Sequence, residues 1–257
     1  MRTARGIAAC LLWAAMLMGW GTEAMAQRNA VWYRGGIVRG DTTRRRITLV
    51  FTADSYADGA DDILRTLREE RTKGAFFLTG RFVQRFPQVV RRLVDEGHYV
   101  GTHSHGHLLY FPWDSQEMLV SRAEFEDDIR RAYEQLEPYG ISPKKAPFFV
   151  PPYEHYNDTV SAWAAGMGLV LMNYTPGTTS NADYTTPSMK NYRSSQTIYD
   201  NILALERKQG LNGHLMLFHL GTVPERTDKF YRRHLKELLQ ALKVRGYRFN
   251  DLKKGKI

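Results

Sequence analysis

His103-Ser104-His105-Gly106-His107 packs three imidazoles into five residues. Two histidines four positions apart can face one cation across a helical turn, and neutral imidazole is the usual zinc ligand. Asp54, which directly follows the apolar run 47–53, offers an anionic oxygen to complete such a set. Two imidazoles and one carboxylate leave a coordination position open for water, the pattern of catalytic rather than structural zinc. A histidine-rich run is also an ordinary surface loop, and His105 points away if His103 and His107 share a side. His219 closes a second apolar run, 214–220, where a hydrogen-bonded core histidine is the plain reading. His98 and His214 carry no pattern and read as structural.

The elements around these residues alternate. Apolar runs at 47–53, 74–79, 98–104, 147–150, 169–174, 214–220 and 247–250 read as strands, and they are separated by amphipathic patterns at 60–70, 82–96, 115–136, 158–165, 195–208 and 229–245. Strands that alternate with helices pair in parallel through right-handed crossovers, and seven such units imply an α/β barrel. Active sites of such barrels lie at the C-terminal strand ends. Asp54, His103, His107, Tyr153, Glu154, Asn173 and His219 all fall there. The stretch 175–193, rich in Thr, Ser, Asn and Pro and without periodicity, reads as a binding loop or lid over the mouth. Gly35-Gly36 and Gly40-Asp41 mark residues 30–43 as a hairpin packed against the barrel.

The first residues carry Arg2 and Arg5, an apolar run 7–20 and the small-x-small site Ala24-Met25-Ala26. That is the layout of a secretory signal, so residues 1–26 read as a signal peptide cut near Ala26, residues 27–45 as an N-terminal extension, and 46–257 as the catalytic-type domain. The alternative, a lipoprotein box ending at Cys10, would leave the apolar segment after the cysteine. No later stretch reaches the roughly 18 apolar residues of a membrane span, so a secreted or periplasmic chain without a transmembrane segment is expected. Cys10 is the sole cysteine, and it departs with the signal, which leaves the core to stabilise the fold without disulfides. The formal net charge of +9 suits an anionic glycan or cell-wall partner as well as it suits a merely soluble surface. No dense Lys/Arg stripe with interleaved aromatics is present, which argues against nucleic acid.

Read together, ITLVFTAD at 47–54, GAFFLT at 74–79, EGHYVGTHSHGH at 96–107, FFVPPY at 148–153 and LMLFH at 215–219 resemble, in order, the motifs of the polysaccharide deacetylase (NodB-homology) family. The resemblance spans about 200 residues. It implies a deformed (β/α)7-type barrel and removal of acetyl groups from an N- or O-acetylated polysaccharide or oligosaccharide. It also implies a divalent metal held by Asp54, His103 and His107, most simply zinc, with cobalt, nickel or manganese as alternatives. His219 would then be the proton donor, with a backbone N–H near Tyr153 stabilising the oxyanion and Tyr153 and Asp183 contacting substrate.

Two family features are missing. The family ends its first strand with two aspartates, the first a general base, but this chain has Ala53-Asp54. Val150 stands where the family's orienting arginine would be. The losses are coherent, since a buried arginine without its carboxylate is an unpaired charge. Glu154 is the first candidate to replace the base, Asp183 the second, and Asp54 in a double role the third; Glu154 could equally be a loop charge and Asp183 a turn residue. A catalytically silent glycan-binding protein, or an amidohydrolase acting on a non-sugar C–N bond, are the competing readings.

Overall fold

The computed structural model describes residues 29–255 and 257, so the expected signal segment 1–26, with Cys10, lies outside the described residues. Its strands are β1 (Val31–Tyr33), β2 (Gly36–Arg39), β3 (Arg46–Ala53), β4 (Ala75–Leu78), β5 (Tyr99–Thr102), β6 (Phe148–Phe149), β7 (Val170–Leu171), β8 (Leu215–His219) and β9 (Arg248–Phe249). Three features position the site: a curled parallel sheet, a layer of helices outside it, and a hairpin that closes its gap. The sheet runs β7-β6-β5-β4-β3-β8, every pair parallel, with β9 beside the start of β3.

Alternation along each strand sorts side chains into two apolar clusters. Ile47, Leu49, Phe51, Phe76, Leu78, Met216 and Phe218 pack with helix residues such as Ile63, Leu64 and Leu67 of α1 (Ala60–Glu69), so they face outward. Val50, Phe77, Tyr99, Phe148, Val150, Leu215 and Leu217 form a second cluster that contains no α-helix residue and therefore fills the barrel. Because the side-chain period of a strand is two, the inward set continues at the strand ends through Thr52 to Asp54, through Gly101 to His103, and through Leu217 to His219.

The expected hairpin forms from β1 and β2, but it does more than pack on the outside. Ile37 bridges to Met172 beyond β7, its carbonyl accepts from Asn173 N at 2.8 Å, and Gly40 N donates to Gly213 O at 2.7 Å just before β8. β2 thus fills the gap between the two sheet edges, and Ile37 joins the interior cluster, fully buried. Thr175 completes the seam by donating through N to Leu215 O and through Oγ1 to Val38 O.

Several boundaries differ from expectation for identifiable reasons. The pattern at 82–96 is two helices, α2 (Gly80–Arg85) and α3 (Pro87–Asp95), because Pro87 cannot donate to the preceding turn and forces Phe86 out of helical geometry, at φ −127 and ψ 52. The helix expected from 115 starts at α4 (Arg122–Leu136), capped by a Ser121/Glu124 capping box. The last helix, expected over 229–245, is a 3₁₀ turn at Phe230–Arg232 followed by a helix at His234–Val244. No helix among the described residues is long and apolar enough to cross a membrane.

Ile37→Ala should cost about 2–5 kcal/mol, since it empties a fully buried position in the seam. Urea melts of the two proteins measure this; equal midpoints would show that β2 is not a structural stave.

Candidate active site

β5 ends at Thr102, and the chain then makes a tight turn that carries the histidines. Ser104 and His107 adopt left-handed backbone, φ 69 and 54. Such conformations cost a non-glycine residue about 1 kcal/mol or more, so other groups must impose them. Asp128, buried on α4, does so: its two carboxylate oxygens accept from His105 N at 3.1 Å and Gly106 N at 2.8 Å. Ser104 Oγ accepts from His107 N at 3.1 Å and Thr102 Oγ1 from Ser104 N at 3.1 Å. The result holds the His103 and His107 rings 4.9 Å apart, inclined by 66°.

His103 Nδ1 lies 2.7 Å from Val150 O. A carbonyl only accepts, so Nδ1 carries the hydrogen and Nε2 keeps a free lone pair, the orientation that a supporting carbonyl gives a metal-binding histidine. Burial, reinforced by the neighbouring His107, drives the His103 pKa down to about 3, so the ring stays neutral. Burial likewise lowers that of His107, against the pull of Asp54. His105 turns away as expected, its Nε2 3.1 Å from Arg131 Nη2 and its ring against Gly80, where a Cβ would sit 2.0 Å from Nδ1. His98 and His214 are buried in the body of the fold, with pKa values lowered to about 4 by desolvation.

Asp54 shares the cavity with both imidazoles. Its carboxylate accepts from Ser55 Oγ at 2.7 Å, Arg81 Nη2 at 2.9 Å and Thr79 Oγ1 at 3.0 Å. Burial opposes the charge, but these hydrogen bonds outweigh it and hold the pKa below the usual carboxylate range. Among the described residues no three His, Cys, Asp or Glu side chains stand close enough together to form a group that could hold a metal ion. The donors nonetheless match a divalent cation in kind: one anionic oxygen and two neutral imidazoles, one of them pre-oriented by Val150.

Past β6, Pro151-Pro152 leads into two consecutive left-handed residues, Tyr153 at φ 59 and Glu154 at φ 53. This turn brings both to the cavity wall, where the Tyr153 ring meets His107 edge-on at 4.4 Å, while Asn173 Nδ2 secures the Glu154 carbonyl at 2.7 Å. Desolvation raises the Glu154 pKa to about 7, with Asp183 adding to the shift and His219 opposing it.

His219 faces the same cavity from β8. Asp183, expected to contact substrate, act as base or serve as a turn residue, instead commits both carboxylate oxygens to this histidine: Oδ1 lies 2.6 Å from Nδ1 and Oδ2 accepts from His219 N at 2.9 Å. Asp183 is 2% exposed and so presents no oxygen to a ligand. Burial alone would lower the His219 pKa, but Asp183, and behind it Glu154, raise it above the ordinary histidine value. The loop that supplies Asp183 is itself pinned. Arg226, fully buried, donates to Thr185 O, to Arg193 O at 3.1 Å and to Ser195 Oγ at 3.2 Å. The stretch 175–193, expected as a binding loop or lid, lines the cavity through Tyr184 and Met189 and is tied back by Arg226 at Thr185 and Arg193.

The cavity measures about 390 Å³ and is open to solvent on the side lined by Trp113, Tyr153, Tyr184 and Met189. It unites Asp54, His103, His107, Tyr153, Glu154 and His219, six residues that the sequence pattern singles out. The same pattern does not reveal Arg81, Asp128 or Arg226. Asp128 sits in the charged run Glu126-Asp127-Asp128, where only burial distinguishes it from a solvated helix face.

Fold and mouth together define a curled parallel α/β barrel with an imidazole- and carboxylate-lined cavity at the C-terminal strand ends. The family profile described as polysaccharide deacetylase matches residues 39–172. The chain belongs to the polysaccharide deacetylase family. It is 24% identical over 217 residues to a peptidoglycan-N-acetylglucosamine deacetylase of Bacillus cereus, covering 83% of this chain and 69% of that one. It is 25% identical over 227 residues to a chitooligosaccharide deacetylase of Sinorhizobium fredii, covering 86% and 96% respectively. In fold it is similar to the Bc1960 peptidoglycan N-acetylglucosamine deacetylase, with TM-score 0.68, 23% identity and 85% and 91% of the two chains covered. It is also similar in fold to a CE4 family pseudoenzyme from Bacillus anthracis, with TM-score 0.65, 19% identity and 85% and 67% covered.

Asp183→Asn keeps the size but removes the charge that favours the imidazolium, so the His219 pKa should fall below its raised value. Following the imidazole resonances of both proteins against pH by NMR tests this; coincident titrations would show that Asp183 leaves His219 electrostatically untouched.

Proposed function

We propose that this chain is a metal-dependent carbohydrate deacetylase, acting outside the cytoplasm on an N- or O-acetylated polysaccharide or oligosaccharide. The observation that carries the reading is His219, held by Asp183 and turned into the cavity that also receives Asp54, His103, His107 and Glu154. A pure binding protein has no use for a proton donor tuned in this way. Names of the relatives support a glycan substrate, and the basic chain and the expected signal peptide suit a cell-wall or extracellular one.

Asp54, His103 and His107 would hold the divalent cation, zinc before cobalt, nickel or manganese. When bound, such a cation polarises the acetyl carbonyl and lowers the pKa of water at the site. Glu154 replaces the base lost at Ala53: with a pKa of about 7 it is substantially ionised at neutral pH, yet basic enough to take a proton from the attacking water. The water oxygen bonds to the acetyl carbon, and the Tyr153 amide at the cavity wall is the oxyanion donor. His219, whose protonated form Asp183 favours, gives its proton to the leaving nitrogen or oxygen as the C–N or C–O bond breaks and acetate departs. Arg81 takes the place of the family's missing arginine only in part: it steadies Asp54 rather than the base.

A second reading, a silent glycan binder, draws on Ala53 and Val150 and on the fold-level likeness to a chain described as a pseudoenzyme. Acetate release from acetylated chitooligosaccharide and peptidoglycan, before and after treatment with EDTA, separates the two. The deacetylase reading expects release that stops on chelation and returns with zinc; binding without release would favour the silent one. Activity should rise with pH as Glu154 ionises near 7 and decline as His219, its pKa raised above the ordinary histidine value by Asp183, loses its proton. Glu154→Gln should lower kcat by about 10²-fold or more and abolish the rising limb. An unchanged rate would leave Asp54 as the base.

A further inference from the structure

A second hollow, of about 550 Å³ against about 390 Å³ for the mouth, lies at the opposite end of the barrel. Arg71, Thr72 and Lys73 line it just before β4, and Arg248 and Phe249 line it from β9, which pairs with Arg46 and Ile47 at the start of β3. The mouth residues stand at the C-terminal strand ends, so the two sites share no residue. Five cations line the hollow, Arg71, Lys73, Lys243, Arg248 and Lys254, against one acid, Asp251. Part of this charge is answered within the fold: Lys243 Nζ meets Glu70 Oε2 at 2.8 Å, and Lys254 Nζ lies 3.5 Å from Asp251. Among the described residues Arg71, Lys73 and Arg248 have no carboxylate partner, and all three are exposed.

Arg71 also stands where the chain elsewhere uses glycine. α1 ends in a left-handed turn in which Arg71 N donates to Arg68 O at 3.0 Å and Thr72 N to Leu67 O at 2.8 Å. The same pair of bonds closes α3 at Gly97, and the helices Asp158–Gly166 and His234–Val244 at Gly168 and Gly246. Those three glycines have φ 75, 75 and 84, and Arg71 has φ 47. Glycine takes this backbone without steric strain and arginine does not, so the side chain of Arg71 is kept against the preference of its position. Strain retained at one residue points to a function for that residue, and here the residue lines the hollow.

We propose that this hollow binds a phosphate polymer, a chain of singly charged phosphate units, at the end of the barrel opposite the mouth. Its cations come from four elements: the turn after α1, the helix His234–Val244, β9 and the turn Leu252–Lys254. A tetrahedral phosphate offers acceptor oxygens in several directions and matches the arginine fork, whereas a carboxylate offers two oxygens in one plane. Three cations without a carboxylate partner exceed the roughly two negative charges of a single phosphate group, and phosphates in series supply the balance. The formal net charge of +9 draws such a polymer in from a distance. A polymer seated here holds the chain in place and leaves the mouth free. The proposal goes beyond the deacetylase reading and does not depend on it.

Calorimetric titration of the full chain with long-chain inorganic polyphosphate, at several salt concentrations, tests this without depending on turnover. The unmodified protein should bind, with an affinity that falls as salt rises. Arg71→Gln/Arg248→Gln should lose about tenfold or more at low salt and flatten the slope of log affinity against log salt by about one to two. Arg85→Gln/Arg91→Gln removes the same charge from exposed arginines outside the hollow and should lose less than about threefold. Arg71→Gly suits a left-handed position better, so it should raise the Tm while weakening binding, which separates lost affinity from lost folding. Equal losses in the two double variants would show that net charge alone attracts the polymer and would overturn the site. Poly-L-glutamate bound as tightly as polyphosphate would overturn the choice of phosphate. Mixed phosphatidylglycerol and phosphatidylcholine vesicles bound through Arg71 and Arg248, with free polyphosphate ignored, would replace the polymer by a lipid surface.

Discussion

The site exists because parallel strands in register turn every second side chain the same way. β3 pairs with β4 and β8, and β4 with β5, with no bulge along them, so the inward parity set by Val50, Tyr99 and Leu217 is carried unchanged to Asp54, His103 and His219. A slip of one residue in any of these strands would send its polar terminus into the helix layer. The apolar filling of the barrel is thus what aims the chemistry. Phe77, Phe148 and Leu215 lie outside the cavity lining, yet they fix the inside of the sheet and hence the direction of the three groups at its rim.

Around that frame, strain and its compensation are local. Four non-glycine residues at the mouth, Ser104, His107, Tyr153 and Glu154, hold left-handed backbone. Polar contacts fix the two turns that contain them: Asp128 and Ser104 Oγ for the histidine turn, Asn173 for the Glu154 carbonyl. Arg226 acts likewise in the layer behind, tying down the loop that delivers Asp183 to His219. The two carboxylates near His219 have opposite tasks. Asp183 is fully engaged and stabilises the imidazolium, while desolvation raises the Glu154 pKa to about 7, the separation of environments that the proposed acid–base pair would require.

Much of this is legible in the residues alone, and the remainder has physical reasons to be hidden. Alternating strands and helices, with polar residues after apolar runs, are enough for the barrel and for six residues of the cavity. Boundaries shift where a local rule competes with periodicity, as at Phe86-Pro87, or where a cap outranks it, as with the Ser121/Glu124 box several residues beyond the expected helix start. The role of Asp183 is not legible, because its partner lies 36 residues away and the intervening helix and strand decide whether the two meet. β2 as a barrel stave is likewise hidden: a hairpin pattern shows that two strands pair, not where they dock.

On the proposed reading Asp54, His103 and His107 are the donors for a cation, while Ala53 and Val150 depart from the pattern that the resemblance implies, so the account turns on whether those three grip a cation together. X-ray absorption at the zinc edge, on the full chain loaded with one equivalent of zinc, measures this directly. The account expects two imidazole nitrogens and a carboxylate oxygen bonded to the zinc at about 2.0–2.2 Å, with one nitrogen lost in His103→Ala. A coordination sphere unchanged by His103→Ala, or zinc that fails to bind, would contradict it.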